Sequence, residues 1–203
     1  MSEDAEDRES PGDVSQQAGG EDVEALVEED PAAAFEQGAG IPGTHVRAME
    51  FWDDIVADME ATAAEYEAEG WEAHQLHPGD VTTRSPDPDG DDDLFGLDVL
   101  VPNNEFDAVE ELLEGGVAFD AYEAFRATGD GLVLLVVAME DNDEEVAVLY
   151  PAYYDPQDAQ AMLAVADRED EMRTYLRTLT NERIEFTHED PDNFTPPMGE
   201  DAE

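Results

Sequence analysis

Four histidines, eight arginines and no lysine or cysteine limit the chemistry open to this 203-residue chain. Without Cys there is no disulfide, no thiolate nucleophile, no iron–sulfur cluster and no Cys-type zinc site. Without Lys there is no Schiff base and no P-loop. Any site must therefore be assembled from His, Arg, carboxylates, Tyr and hydroxyls. One such set is His77 and Asp80, with His74 nearby and His188 far along the chain. Two imidazoles and a carboxylate suit a divalent transition metal, and a fourth, water-filled position would make the metal a Lewis acid for hydrolysis. His77, Asp80 and His188 are thus the candidate metal ligands, with His74 in reserve. The spacing qualifies this, because an odd offset on a strand sends residues 74 and 77 to opposite faces unless the turn at Pro78 brings His77 round. The alternative is structural: His77 and Asp80 satisfy the turn backbone while His74 is solvated.

The arginines form a second constellation. Arg173 and Arg177, four apart, fall with Tyr175 on one face of a strand, and Arg126 shares another strand with Tyr122. A guanidinium fork matches a carboxylate or phosphate bidentately, so Arg126, Arg173 and Arg177 are candidates for an anion pocket together with Tyr175. Pairing with neighbouring carboxylates is the competing role. Tyr150, Tyr153 and Tyr154 surround Pro151, and Tyr153 is a candidate for orienting a small ligand, or else for wedging a loop against the sheet. There is no serine-centred nucleophile elbow and no glycine-rich phosphate loop after a strand. Acidic residues are so abundant that carboxylate motifs carry little information.

That abundance is itself informative. Eight cations against 56 carboxylates give a formal net charge of −48, yet 41% of the residues are hydrophobic. Disorder needs low hydrophobicity as well as high charge, so this is not simply an acidic tail. The balance is expected of a protein adapted to multimolar salt: at about 1 M ionic strength the Debye length is near 3 Å and neighbouring carboxylates are screened. A high KCl concentration is then needed for folding. No nucleic acid and no anionic membrane is expected as a partner, since both call for a basic surface. The N-terminal residues offer neither a basic n-region nor an apolar h-region, so a cytoplasmic location is expected.

The elements that must position these residues centre on 132–150, LVLLVVAM then EDNDEE then VAVLY. Eight apolar residues in a row, too few for a membrane span, read as a strand buried on both faces. The acidic turn feeds a second strand over 146–149, which Pro151 is expected to stop. Residues 119–127 alternate as a half-buried strand that joins this hairpin through Gly129–Asp130–Gly131. Upstream, Thr44 begins a helix whose face is Met49, Trp52, Val56, Met59, Ala63 and Tyr66, ending at Gly70. Short strands follow over 71–77 and 81–83, then a loop over 85–93 and a strand over 94–101 closed by Pro102. A helix capped at Asn103 or Asn104 presents Phe106, Val109, Leu112 and Leu113. Asp155 caps a last helix to about Arg168, and residues 172–187 form a terminal hairpin. The expected fold is α+β, a largely antiparallel sheet with about three helices on one face. Residues 1–42 are expected to be a disordered acidic tail, 43–193 a single domain, and 194–203 a second disordered tail.

The segments WEAHQLHPGDV, FGLDVLVPNNEFDAVEELL, YEAFRATGDG, VAVLYPAYYD and MRTYLRTLTNERIEFTHEDPDNF, spanning about 44–194, resemble a family of haloarchaeal proteins, domains of unknown function. The resemblance implies a halophilic archaeal cytoplasm and carries over no catalytic residue. Two functions are consistent with all of this. The first is a non-enzymatic cytoplasmic protein that binds a small molecule or a protein partner, possible homodimer formation included. The alternative is a metal-dependent hydrolase using the His/Asp site. No cofactor beyond that divalent metal is implied.

Overall fold

In the computed structural model, residues 43–86 and 93–197 are described. The acidic tail expected over 1–42, the middle of the 85–93 loop and residues 198–203 lie outside the described residues. In chain order the elements are α1 (Gly43–Met49), α2 (Trp52–Glu69), β1 (Glu72–Gln75), β2 (Asp80–Arg84), β3 (Gly96–Leu100), α3 (Asn103–Gly115), β4 (Ala121–Gly129), β5 (Leu132–Asp141), β6 (Val146–Tyr154), α4 (Gln160–Glu169), β7 (Glu171–Arg177) and β8 (Arg183–Glu189). A single 3₁₀ turn, Pro191–Asn193, follows. No helix among the described residues is long and apolar enough to cross a membrane.

The eight strands form two four-stranded sheets, ordered β1-β6-β5-β4 and β2-β3-β7-β8. The expectation of one largely antiparallel sheet is corrected here, because each sheet contains one parallel pair, β1 with β6 and β3 with β7. The two sheets face each other. Tyr150 of β6 hydrogen-bonds Thr174 of β7 at 2.7 Å, and Phe119 meets Phe186 edge to face. Nor do the helices share one face: α2 packs on β1, β5 and β6, whereas α4 lies against β3 and β7.

The β5–β6 hairpin occupies the centre of its sheet as its composition requires. Leu132 through Met139 and all of β6 are buried, one side of the hairpin against α2 and the other against the second sheet. Asp141 organises its turn: one carboxylate oxygen accepts the N–H groups of Asp143 and Glu144 at 3.0 and 3.1 Å, and the other accepts Ala118 N–H at 2.7 Å. These bonds hold the Asp141 carboxyl below the usual carboxylate range. Pro151 does not stop the strand, contrary to expectation, but pairs with Val136 inside β6. The reason lies on the other side of β6. There β1 pairs with it only as far as Leu149, so Pro151 occupies an edge where no ladder donor is required.

The first helix is broken where continuity was expected. Glu50 and Phe51 separate α1 from α2, while Gly70 takes the left-handed conformation that closes α2. The terminal hairpin over β7 and β8 forms as the threonine and tyrosine content of 172–180 indicates. The fold also continues past the boundary expected at 193. Phe194 is fully buried against Tyr122 and His188, and its carbonyl accepts the Tyr154 hydroxyl.

Candidate functional site

The outer face of the β2-β3-β7-β8 sheet carries four of the chain's eight arginines, and the strand registers lay it out as a grid. One row across the sheet reads Arg84, Gly96, Arg173, Thr187; the next reads Thr82, Asp98, Tyr175, Glu185; the third reads Asp80, Leu100, Arg177, Arg183. Alternation along each strand puts all twelve on the face turned away from the other sheet. The expected shared face of Arg173, Tyr175 and Arg177 is therefore present. Arg84, Asp98 and Arg183 join it from neighbouring strands and were not anticipated.

Asp98 is the centre of the grid. It is 1% exposed, and three guanidiniums converge on its carboxylate: Arg177 hydrogen-bonds one oxygen through Nε, Arg84 bonds the other at 3.3 Å, and Arg183 stands 3.8 Å from it. Arg177 and Arg183 are directly opposite each other across β7 and β8, a like-charge pair that is unfavourable unless an anion lies between them. Asp98 supplies that anion from β3, the strand on the other side of β7. Next to this group Arg173 bonds Glu171, approaches Glu185 at 3.6 Å and lies over the Phe95 ring at 4.8 Å. Tyr175 is buried beneath, donating its hydroxyl to the Phe95 carbonyl at 3.2 Å.

Gly96 makes the close packing of β3 on β7 possible. Its φ is +126°, and a Cβ there would lie 1.9 Å from the Arg173 carbonyl oxygen. No side chain fits at the point where the two strands carrying Asp98 and Arg177 are joined.

Asp80 stands at the border of the arginine face. One carboxylate oxygen is 3.9 Å from Arg177 Nη2 and the other 3.8 Å from His45 Nδ1. His45 in turn lies 2.7 Å from the Tyr153 hydroxyl. Burial, followed by the nearby Asp80 charge, pushes the Tyr153 phenol up to about 12, so it keeps its proton. The predicted ligand-binding residue Tyr153 thus has a polar partner from α1, and His45 is a member of the constellation that its sequence neighbourhood did not single out.

The remaining candidates are dispersed. Arg126 is exposed on β4 and donates to the carbonyls of Asp192 and Thr195, which fastens the segment after β8 onto the other sheet. His77 is tied to Glu105 of α3 through both its backbone N–H and Nδ1. His74 pairs with Glu72 at 2.8 Å. His188 is fully buried between the sheets, 2.8 Å from Thr174 and against the rings of Tyr122 and Phe194. His77, Asp80 and His188 are therefore not brought together: Asp80 faces outward from one sheet and His188 inward. Among the described residues no group of three or more His, Asp or Glu side chains is placed to hold a metal ion.

Asp98 had a signal in the sequence, being the single charge inside the apolar run FGLDVLV. An isolated acid among buried strand residues needs a cationic partner. Arg183 had none, because only the hairpin register sets it opposite Arg177.

No curated protein and no solved structure matches the chain. Residues 39–196 match a protein family of unknown function (DUF7529), and the chain belongs to that family.

Proposed function

We propose that this is a non-enzymatic binding protein whose outer sheet face, centred on Arg84, Asp98, Arg177 and Arg183, receives a small anionic ligand bearing carboxylate or phosphate groups. The observation that carries the reading is a local inversion of charge. The chain holds seven carboxylates for every arginine, yet here three arginines share one buried carboxylate. Clustering them around one fixed carboxylate preorganises the guanidinium forks on one face, a geometry suited to an incoming oxyanion. Arg173 and Tyr175 extend the same face, and the border residue Asp80 limits it on the β2 side. The acidic, lysine-free composition supports a salt-rich cytoplasm as the setting.

Thermal unfolding with inorganic phosphate or citrate added at constant KCl tests this. A ligand at about 100 times its Kd adds about 2.7 kcal/mol to stability, so the wild-type melting temperature is expected to rise and that of Arg183→Gln to respond far less. Equal responses in the two proteins, or none in either, would overturn the assignment.

A further inference from the structure

A second site lies on the other side of Asp80. β2 is the outermost strand of its sheet, and past Leu149, where β1 ends, β6 runs beside it. α1 closes the gap between them. The result is a cleft of about 210 Å³ lined by Thr44 and His45 of α1, residues 80–83 of β2, Tyr153, and the acids Asp155 and Asp158.

The walls of this cleft are complementary to a particular kind of ligand. Residues 81–83 present the edge of β2 that forms no ladder with another strand. The Tyr153 hydroxyl lies within reach of the Val81 N–H and is held there by His45. Three carboxylates face the space, and the Arg47 guanidinium beside it is taken up by Asp155 and by the Asp130 carbonyl. Asp158 accepts the Thr44 hydroxyl at 3.3 Å, and Asp80, at the start of β2, has no hydrogen-bonded cation. Asp80 is 37% exposed, and both basic groups beside it stand at 3.8–3.9 Å, too far to hydrogen-bond. A free strand edge with a carboxylate at its start matches a short extended chain that begins with a cation.

We infer that the cleft receives the amino terminus of a peptide chain, its ammonium group on Asp80 and its first peptide units along the free edge of β2. The volume admits the first residues only, so recognition is of a chain end and not of an internal segment.

The experiment is an NMR titration of the full chain in multimolar KCl with alanyl-alanine amide, its N-acetyl derivative and ethylamine, read at the Val81, Thr82 and Thr83 amides and the His45 ring. Saturable shifts with the free dipeptide amide, and at least tenfold weaker binding of the acetylated form, are expected. Asp80→Asn should lose the response while Arg183→Gln keeps it, which separates this site from the anion face. Should the Asp80 variant fail to fold, the comparison of free and acetylated peptide on the wild type still decides. Equal binding of the two peptides, binding of neither, or ethylamine binding as tightly as the dipeptide would each overturn the inference.

Discussion

Asp98 shows how one side chain can set the character of a surface. A carboxylate only 1% exposed would be untenable alone, and the three arginines around it would repel one another without it. Removing it therefore costs more than removing any one partner. Asp98→Ala is expected to destabilise by about 3–5 kcal/mol, since it leaves cations half-buried and uncompensated. Arg183→Gln, at a contact of 3.8 Å on an accessible side chain, should cost no more than about 1 kcal/mol. Denaturant unfolding at fixed KCl measures both, and the reverse ranking would mean that Asp98 is not the organising charge. His188 makes a different prediction. Burial pushes its imidazole from 6.5 down to about 3, so the folded protein stays neutral there while the unfolded chain takes up a proton. Its contribution is complete above about pH 6.5 and is lost as pH falls toward 3, by up to about 5 kcal/mol from the linkage relation. In unfolding measured between pH 7 and 4, His188→Leu should show a shallower decline than the wild type. Parallel declines would assign the acid sensitivity to carboxylates such as Asp141 instead.

At the scale of elements, the joints are more exacting than the strands. Gly96→Ala would drive a methyl into the β7 backbone, and the loss of the β3–β7 pairing should leave no cooperative melt at moderate temperature. A variant with wild-type stability would show that the two strands can separate without consequence. Phe194→Ala tests the segment clipped across the two sheets by Tyr122, Arg126 and Tyr154, with an expected loss of about 3–5 kcal/mol for a fully buried aromatic. Hydropathy periodicity made the strands and helices themselves legible. The eight-residue apolar run, the alternation of β4 and the glycine at the end of α2 each reflect a local requirement. Partition into two sheets is not local: nothing in residues 72–75 states that they pair with 146–149 instead of with β2. The same limit applied to the site. The shared face of Arg173 and Arg177 follows from strand alternation, whereas Arg84, Arg183 and His45 reach their places only through registers between distant segments. Phe194 stayed hidden because a lone aromatic in a proline-flanked acidic stretch gives no periodic signal.

For the molecule as a whole the governing quantity is a net charge of −48 on 203 residues. Self-repulsion at that density opposes compaction unless ions screen it within a few ångströms. The melting temperature is therefore expected to rise steeply with KCl from dilute buffer to multimolar salt, followed by circular dichroism. A cooperative and unshifted melt at 50 mM salt would show that the apolar core suffices without screening. The two parallel pairings also bear on how the structure is reached. β4, β5 and β6 are joined by tight turns and can zip up as they leave the ribosome. By contrast, Leu97 must wait for Thr174, and Glu72 for Val146, before β3 and β1 find these neighbours. Contacts so far apart in sequence carry a large loop-closure entropy and slow the search. The arginine face, whose members come from both sides of that late pairing, is thus among the last surfaces of the protein to exist during folding. A nascent chain lacking β7 displays Asp98 with no cation from β7 or β8 to accompany it.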